Sequence, residues 1–268
     1  MKDKRLPLLI ITGLLALGLL GIDATIWSLT RIKPVNITLT SSAIPKDFDE
    51  LTIVYFSDTH WMNLGDAYAA RVIDSIMAND PDVIVFGGDL ATEAYYTTLT
   101  SQSRQQLIDR LKTLEASLGQ FAILSTADQS HRLELESMWM AAGFEVLNDQ
   151  SLNIHAYGDD YIRFIGIDED TPTSLADSSI YTLGFAHDPR VIDDWAGKLD
   201  GLVAGKTHGG QIVLPLIGSL MTSNKPLLKG QKVIDDTTLI VSSGVGVDGL
   251  KARLFADPDY LVITLRPE

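Results

Sequence analysis

Four short stretches of this 268-residue chain hold the side-chain types that bind divalent cations. They are Ser57-Asp58-Thr59-His60, Gly87-Gly88-Asp89, His187-Asp188 and Lys206-Thr207-His208-Gly209-Gly210-Gln211. The chain has no cysteine, which excludes thiolate metal sites, disulfides and a cysteine nucleophile. Any metal therefore has only carboxylate oxygen and imidazole nitrogen to bind. Side chains two apart on extended chain point the same way, so Asp58 and His60 are expected to grip one ion. Taken singly the stretches say little: Asp-x-His is most often a helix cap beside a surface histidine, and Gly-Asp is ordinary turn chemistry. Their joint placement is the signal, because each stretch follows directly on an apolar run.

Those runs are the elements that must position the chemistry. Residues 52–56, 83–86, 121–124 and 202–204 are short, apolar and rich in β-formers. Between the first three lie helical patterns. Asp66 can cap a helix that aligns Ala69, Ile73 and Ile76, and Leu107, Leu111, Leu114 and Leu118 form a second stripe. Such alternation predicts βαβ units and a sheet covered by helices. From Val146 onward the runs 151–157, 161–167, 181–186, 238–242 and 260–265 read as strands with few helices between them. The expected fold is therefore α/β, two packed mixed β-sheets flanked by helices. Trp139 and Met138, at helical spacing, are expected in the core. Ligands of open α/β sheets bind beyond the carboxyl ends of strands, which is where all four stretches fall.

In order and spacing, the stretches 57–60, 81–89, 187 and 207–211 with Pro215 resemble the calcineurin-like metallophosphoesterases. The tail, 242–246 through Arg253 and then 258–265, fits the same pattern, in particular a membrane-anchored bacterial branch whose last motif runs GHTHGGQ. The resemblance covers about residues 50 to 267 and implies a four-layer sandwich that hydrolyses phosphoesters at a two-ion centre. It implies that one ion is held by Asp58, His60 and His208, with Asp89 bridging to a second. For the second ion Asp89 and His187 remain. The family's Asn falls on Thr126, its GNH histidine on Ala127 and the first histidine of GH-x-H on Lys206; only the following acid, Asp128, is kept. One half of the centre is thus complete and the other dismantled.

An ammonium cannot coordinate a cation unless deprotonated. At 4 Å from a divalent ion it is repelled by about 8 kcal/mol at an effective dielectric near 20. Lys206 is therefore expected to replace the second ion and pair with Asp89, leaving one divalent ion per chain, Mn, Fe or Zn. Lys206 and Asp128 are the candidate catalytic side chains. His131 is expected as an exposed residue in the first turn of a helix that Leu133 and Met138 continue. Two functional readings follow. Loss of an ion and of the leaving-group histidine, each worth ~10²–10³ in rate, points to an envelope protein with very weak or no hydrolysis. The alternative is a working one-metal phosphohydrolase that uses Lys206 as a phosphate clamp, acting on the envelope or lipid phosphoesters that the resemblance implies.

With 21 basic against 35 acidic side chains and a net charge of −14, the chain is not a nucleic-acid binder. A basic head at 1–5 precedes an apolar stretch, 6–29, broken only by Asp23 and long enough to cross a bilayer. It reads as an uncleaved anchor; a cleaved signal peptide is the rival, disfavoured because no A-x-A site follows. The basic head keeps to the cytoplasm, which places the rest outside a single-pass membrane protein. That outer part carries 18 basic and 33 acidic residues, so charge does not hold it to anionic headgroups. Residues 1–30 are thus the anchor, 31–50 a linker with one edge strand, and 51–268 the globular domain. The expected partners are the membrane, through this helix, and a phosphorylated envelope component.

Overall fold

The computed structural model describes residues 5–268 apart from 62, 93, 94, 96, 97, 99 and 222–226. Helix α1 (Arg5–Ile22) runs through a π-helical turn, Asp23–Trp27, into a last turn at Ser28–Thr30. Its portion from Ile10 to Thr30 is long and apolar enough to cross a membrane, and almost all of it lies outside the packed domain. A signal sequence has the same length and composition.

Two six-stranded sheets follow. The first comprises β1 (Lys33–Ser41), β2 (Thr52–Phe56), β3 (Val83–Phe86), β4 (Gln120–Ala122), β5 (Glu145–Val146) and the last strand of the chain, Asp259–Pro267. The second comprises β6 (Ser151–His155), β7 (Tyr161–Ile167), β8 (Thr182–Ala186), β9 (Gly201–Ala204) and two later strands, Gly230–Ile234 and Thr237–Val241. A small hairpin, β10 (Val213–Leu214) and β11 (Gly218–Ser219), stands apart, so the later strands are β12, β13 and, for Asp259–Pro267, β14. The spatial orders are β1-β14-β2-β3-β4-β5 and β12-β13-β9-β8-β7-β6. In each sheet the central strands run parallel, β2 through β5 in one and β13, β9, β8 and β7 in the other.

Burial on both faces explains why these strands read as unbroken apolar runs. In β2, Ile53 and Tyr55 face the second sheet, packing with Phe164, Phe185 and Val203. Val54 and Phe56 face outward under the helices α2 (Asp66–Met77), α3 (Ser101–Leu111) and α4 (Arg132–Ala141). The outer face of the second sheet packs on Trp195 and Leu199, around the short α5 (Ile192–Trp195). The four layers match the expectation, and Trp139 and Met138 are core residues.

Three local expectations are corrected. Gly65, with φ +84°, occupies the N-cap of α2, so Asp66 is the first helical residue and its side chain caps nothing. The leucine stripe is only half helical: α3 ends at Leu111, and Leu114 is buried from the connection that follows. Residues 31–50 are also more than a linker. β1 pairs with β14 over nine positions, and Ile44 and Phe48 are buried in the core between the sheets.

Candidate metal centre

The four stretches meet where the carboxyl ends of β2 and β3 face those of β8 and β9. Backbone hydrogen bonds join them: Asp58 N–H donates to Gly88 O at 2.9 Å, and Gly205 N–H to His187 O at 3.1 Å. Asp58, His60, Asp89 and His208 all have positive φ, from +38° to +59°. Four non-glycine residues in the left-handed region at one spot mark a site where geometry is held against local preference. Asp58 and His60 therefore do not lie on extended chain; the strand ends at Phe56 and the backbone reverses hand after it.

Asp58 is fully buried. One carboxylate oxygen accepts from Ser57 Oγ at 2.5 Å, and both accept the backbone N–H of Lys206 at 3.0 Å. Burial pushes its pKa up, the His187 charge opposes this, and the Asp89 charge adds to it. Gly205 and Gly244 make room for it: a Cβ on Gly205 would stand 2.6 Å from Asp58 Oδ2, and one on Gly244, at φ +65°, 2.6 Å from Asp58 Cβ. Asp89 is bonded at 3.2 Å to His60 Nε2. Burial alone would raise Asp89, but the His60 hydrogen bond and charge outweigh it and hold Asp89 low. His60 is correspondingly raised, against the effect of its own burial.

The histidine tautomers follow from their neighbours. His187 Nδ1 lies 2.9 Å from the Gly87 carbonyl, which only accepts, so Nδ1 donates, and in the neutral ring Nε2 carries the lone pair. The Gly246 backbone acts on the His208 ring as a hydrogen-bond acceptor. His208 Nδ1 lies 3.4 Å from Arg253 Nη2, but that nitrogen is shared among the carbonyls of Ser243, Gly244 and Gly246. Burial, reinforced by the Arg253 charge, holds His208 far below the usual imidazole value, so it is neutral. Ring nitrogens fixed by backbone carbonyls are the usual support of metal-binding imidazoles.

Among the described residues, ligand atoms gather into two trios that share Asp89: His60, Asp89 and His208, and Asp58, Asp89 and His187. His60 Nε2 and His208 Nε2 stand 3.2 Å apart. Two nitrogens bound to one ion at ~2.0–2.1 Å are separated by roughly 3.0–3.4 Å, so the spacing fits. His60 Nδ1 is buried without a hydrogen-bond partner among the described residues. Oxygen and imidazole donors in this arrangement suit a divalent cation of the Mn, Fe or Zn type. Asp58, expected beside His60, instead groups with His187, although its Oδ1 also lies 3.6 Å from His208 Nε2.

Lys206 does not pair with Asp89. Its Nζ bonds Asp188 Oδ2 at 2.8 Å, and Arg190 Nη2 binds the same oxygen at 2.7 Å. Lys206 and Asp188 follow the adjacent strands β9 and β8, which brings their side chains together. The ammonium reaches Asp89 only through its field, which helps to hold that carboxyl low. Asp128 is buried outside both trios; its Oδ2 accepts from Ser125 N–H at 2.9 Å, Ser125 Oγ at 2.6 Å and Asp89 N–H at 3.3 Å, and so braces the backbone of Asp89. Thr126 is exposed in the turn that follows, and the side chain of Ala127 lies outside the described residues. His131 is half-buried at the start of α4 near Glu134.

Three contacts escape a reading by residue type: the Lys206 N–H on Asp58, the Asp188 carboxylate on the Lys206 ammonium, and the Arg253 guanidinium on the surrounding loop carbonyls. Arg253 is fully buried and donates to the carbonyls of His208, Ser243, Gly244, Gly246 and Ala256. It knits the 242–247 loop to the His208 loop. Tyr68, whose hydroxyl burial pushes up to about 12, holds the same loop by donating to Val245 O at 2.5 Å. The only sequence signal for this brace is the glycine-rich run 242–246 directly after a strand.

No family model matches the chain. It is 29% identical over 255 residues to the uncharacterized metallophosphoesterase YkuE of Bacillus subtilis (strain 168), covering 88% of this chain and 86% of that protein. It is 24% identical over 251 residues to an uncharacterized metallophosphoesterase of Aquifex aeolicus (strain VF5), covering 85% and 90%. Among solved structures, a dimetal phosphatase from Danio rerio aligns with a TM-score of 0.48 at 9% identity, over 81% of this chain and 99% of that one. With near full-length relatives named as metallophosphoesterases, motifs in the family order and carboxylates and imidazoles converging at the strand ends, the chain is similar to the metallophosphoesterases in sequence and in the make-up of its candidate centre.

Proposed function

We propose that this is a membrane-anchored, extracytoplasmic metallophosphoesterase-family protein that holds one divalent ion and hydrolyses phosphoesters very weakly or not at all. The observation that carries the reading is the imbalance between the trios. His60, Asp89 and His208 bring two imidazole nitrogens and a carboxylate oxygen together, with no cation among the three. Over Asp58, Asp89 and His187 acts the positive field of the Lys206 ammonium, held on neighbouring Asp188, and Thr126 is exposed in the nearby turn. A bound divalent ion supplies positive charge that polarises a phosphoryl oxygen. Around it His208 stays neutral, Asp89 stays ionised, and Asp58 is held in place by the Lys206 amide. The segment 10–30 carries the membrane assignment, by its length and by standing clear of the domain; the basic head sets the orientation.

The second reading, an active one-metal hydrolase on envelope or lipid phosphoesters, is favoured by one feature. The Lys206 side chain is 30% exposed beside the centre, where it can meet an incoming phosphate. Metal analysis of the full chain, combined with turnover of a generic phosphodiester in manganese, separates the two. About one ion per chain without turnover supports the first reading. One ion with turnover that Lys206→Gln abolishes supports the second. Two ions and brisk turnover refute both. Under the first reading Thr126→Asn, Ala127→His and Lys206→His together raise metal content and activity.

A further inference from the structure

Directly after the His208 loop the chain runs Ile212-Val-Leu-Pro-Leu-Ile-Gly-Ser-Leu-Met221, ten residues without a charge, in an outer domain that is strongly acidic. This stretch forms the β10–β11 hairpin, and its apolar residues are not in the core. Leu216 at the tip is fully exposed, Ile217 is 72% exposed, and Leu220 and Met221 are exposed behind them. Phe255, 53% exposed, and Leu250 come from the neighbouring loop. Leu216 and Phe255 hold φ of +69° and +54°, a backbone region where a bulky side chain is strained and glycine or asparagine would serve the turn better. Folding therefore does not account for large apolar groups at these two points.

The patch is continuous with the N-terminal apolar helix. Val213 N–H donates to Leu254 O at 2.9 Å and Leu254 N–H to Gln211 O at 2.9 Å, which ties the hairpin to the 250–257 loop. The next amide of that loop, Arg253 N–H, donates to Ala24 O at 2.8 Å. Ser28 Oγ, Arg31 and Lys33 all bind the Asp257 carboxylate, and Ala24 and Leu29 are buried against the domain. Ile26 and Trp27 on the open side of the same turn are exposed, Trp27 being the residue type that settles at a bilayer interface.

We propose that the hairpin tip (Leu216, Ile217), Phe255 and Leu250 form a second membrane contact, sunk into the interfacial layer of the bilayer beside the anchor. Two attachments, one spanning and one interfacial, fix the domain's tilt, whereas a single helix would leave it free to swing. Because His208 and the hairpin share one loop, the cation centre is then held at headgroup depth. It would take a phosphoester borne by a lipid in the same membrane. The contact is apolar, so it needs no basic patch and does not conflict with the acidic surface. The inference rests on reading 10–30 as a membrane anchor.

The absence of cysteine allows a direct test with the full chain in phosphatidylcholine/phosphatidylglycerol vesicles. Leu216→Cys, Ile217→Cys, Leu15→Cys (in the anchor) and Tyr157→Cys (in the exposed β6–β7 turn at the opposite end of the sheet) each carry one environment-sensitive fluorophore. The labels at 216 and 217 should be about tenfold less accessible to aqueous iodide than the label at 157, and quenched by doxyl groups on lipid chains. If they are as open to iodide as position 157 while position 15 is shielded, the hairpin contact is wrong and the anchor stands. If position 15 is also open, the anchor fails and the proposal with it. Shielding from iodide without doxyl quenching means that protein, such as a second copy of the chain, covers the patch, and overturns the lipid assignment.

Discussion

At the scale of single residues, the centre is governed as much by backbone as by side chain. Lys206 stands where the family resemblance places a histidine, yet its amide N–H holds Asp58 while its ammonium turns to Asp188. Removing the charge alone should therefore not disorder Asp58. Lys206→Gln is expected to tighten manganese binding three- to tenfold by relieving repulsion, read by calorimetric titration; weaker binding would mean that the ammonium supports the site. Arg253 offers the contrasting case. Arg253→Met leaves the buried Ser243 and Ala256 carbonyls without their guanidinium donor, each costing about 1–3 kcal/mol when unpaired, while His208 O and Gly244 O keep backbone donors from Gln211 and Asp259. We expect a loss of about 3 kcal/mol in stability, seen as a Tm lower by roughly 6–12 °C, even though Arg253 touches no candidate ligand oxygen.

At the scale of elements, strand ends and tight turns decide the result. Parallel strands from two sheets present their carboxyl ends to one another, and the connections after β3 and β9 need their glycines, Gly88 against the His187 ring and Gly205 against Ser57 and Asp58, to pass so closely. Gly205→Ala is the sharpest probe, because the added Cβ would stand 2.3 Å from Ser57 Oγ and 2.6 Å from Asp58 Oδ2. Either the Asp58 carboxylate or the β9 turn must shift. The expected outcome is a destabilisation of about 1–3 kcal/mol together with weaker metal binding. Unchanged metal binding would show that the turn yields and Asp58 does not.

At the scale of the whole molecule, the apolar helix and the domain are joined through Asp257. Burial raises this carboxyl, but hydrogen bonds from Lys33, Arg31 and Ser28 outweigh that effect and hold it below 3.8. A depressed folded-state pKa gives a contribution present above the unfolded value and lost as pH falls through the folded one. The junction should therefore hold from neutral pH down to about 4 and loosen below it. Hydrogen exchange at the Arg253 amide, which donates to Ala24 O, is the measurement: its protection should fall in that acid range and not between pH 5 and 8. The partners are largely solvent-exposed, so the effect is local and not a global unfolding.

The order of apolar runs in the sequence determines the two-sheet architecture, because strands buried on both faces must be largely apolar, and Thr52–Phe56, Val83–Phe86 and Gly201–Ala204 were legible for that reason. The candidate ligands Asp58, His60, Asp89, His187 and His208 were legible too, since each follows such a run and strand ends converge. What the tertiary structure decided is which of them share a cation seat and which cation pairs with which carboxylate. Those outcomes depend on backbone hand at Asp58, His60, Asp89 and His208, on the amide of Lys206 and on the carbonyls gathered by Arg253. Backbone groups are chemically alike in every residue, so their use leaves no mark on residue type. The edge strand β1 was under-read for a related reason: with a single pairing partner its stability comes from the register with β14, a contact more than two hundred residues away in the chain.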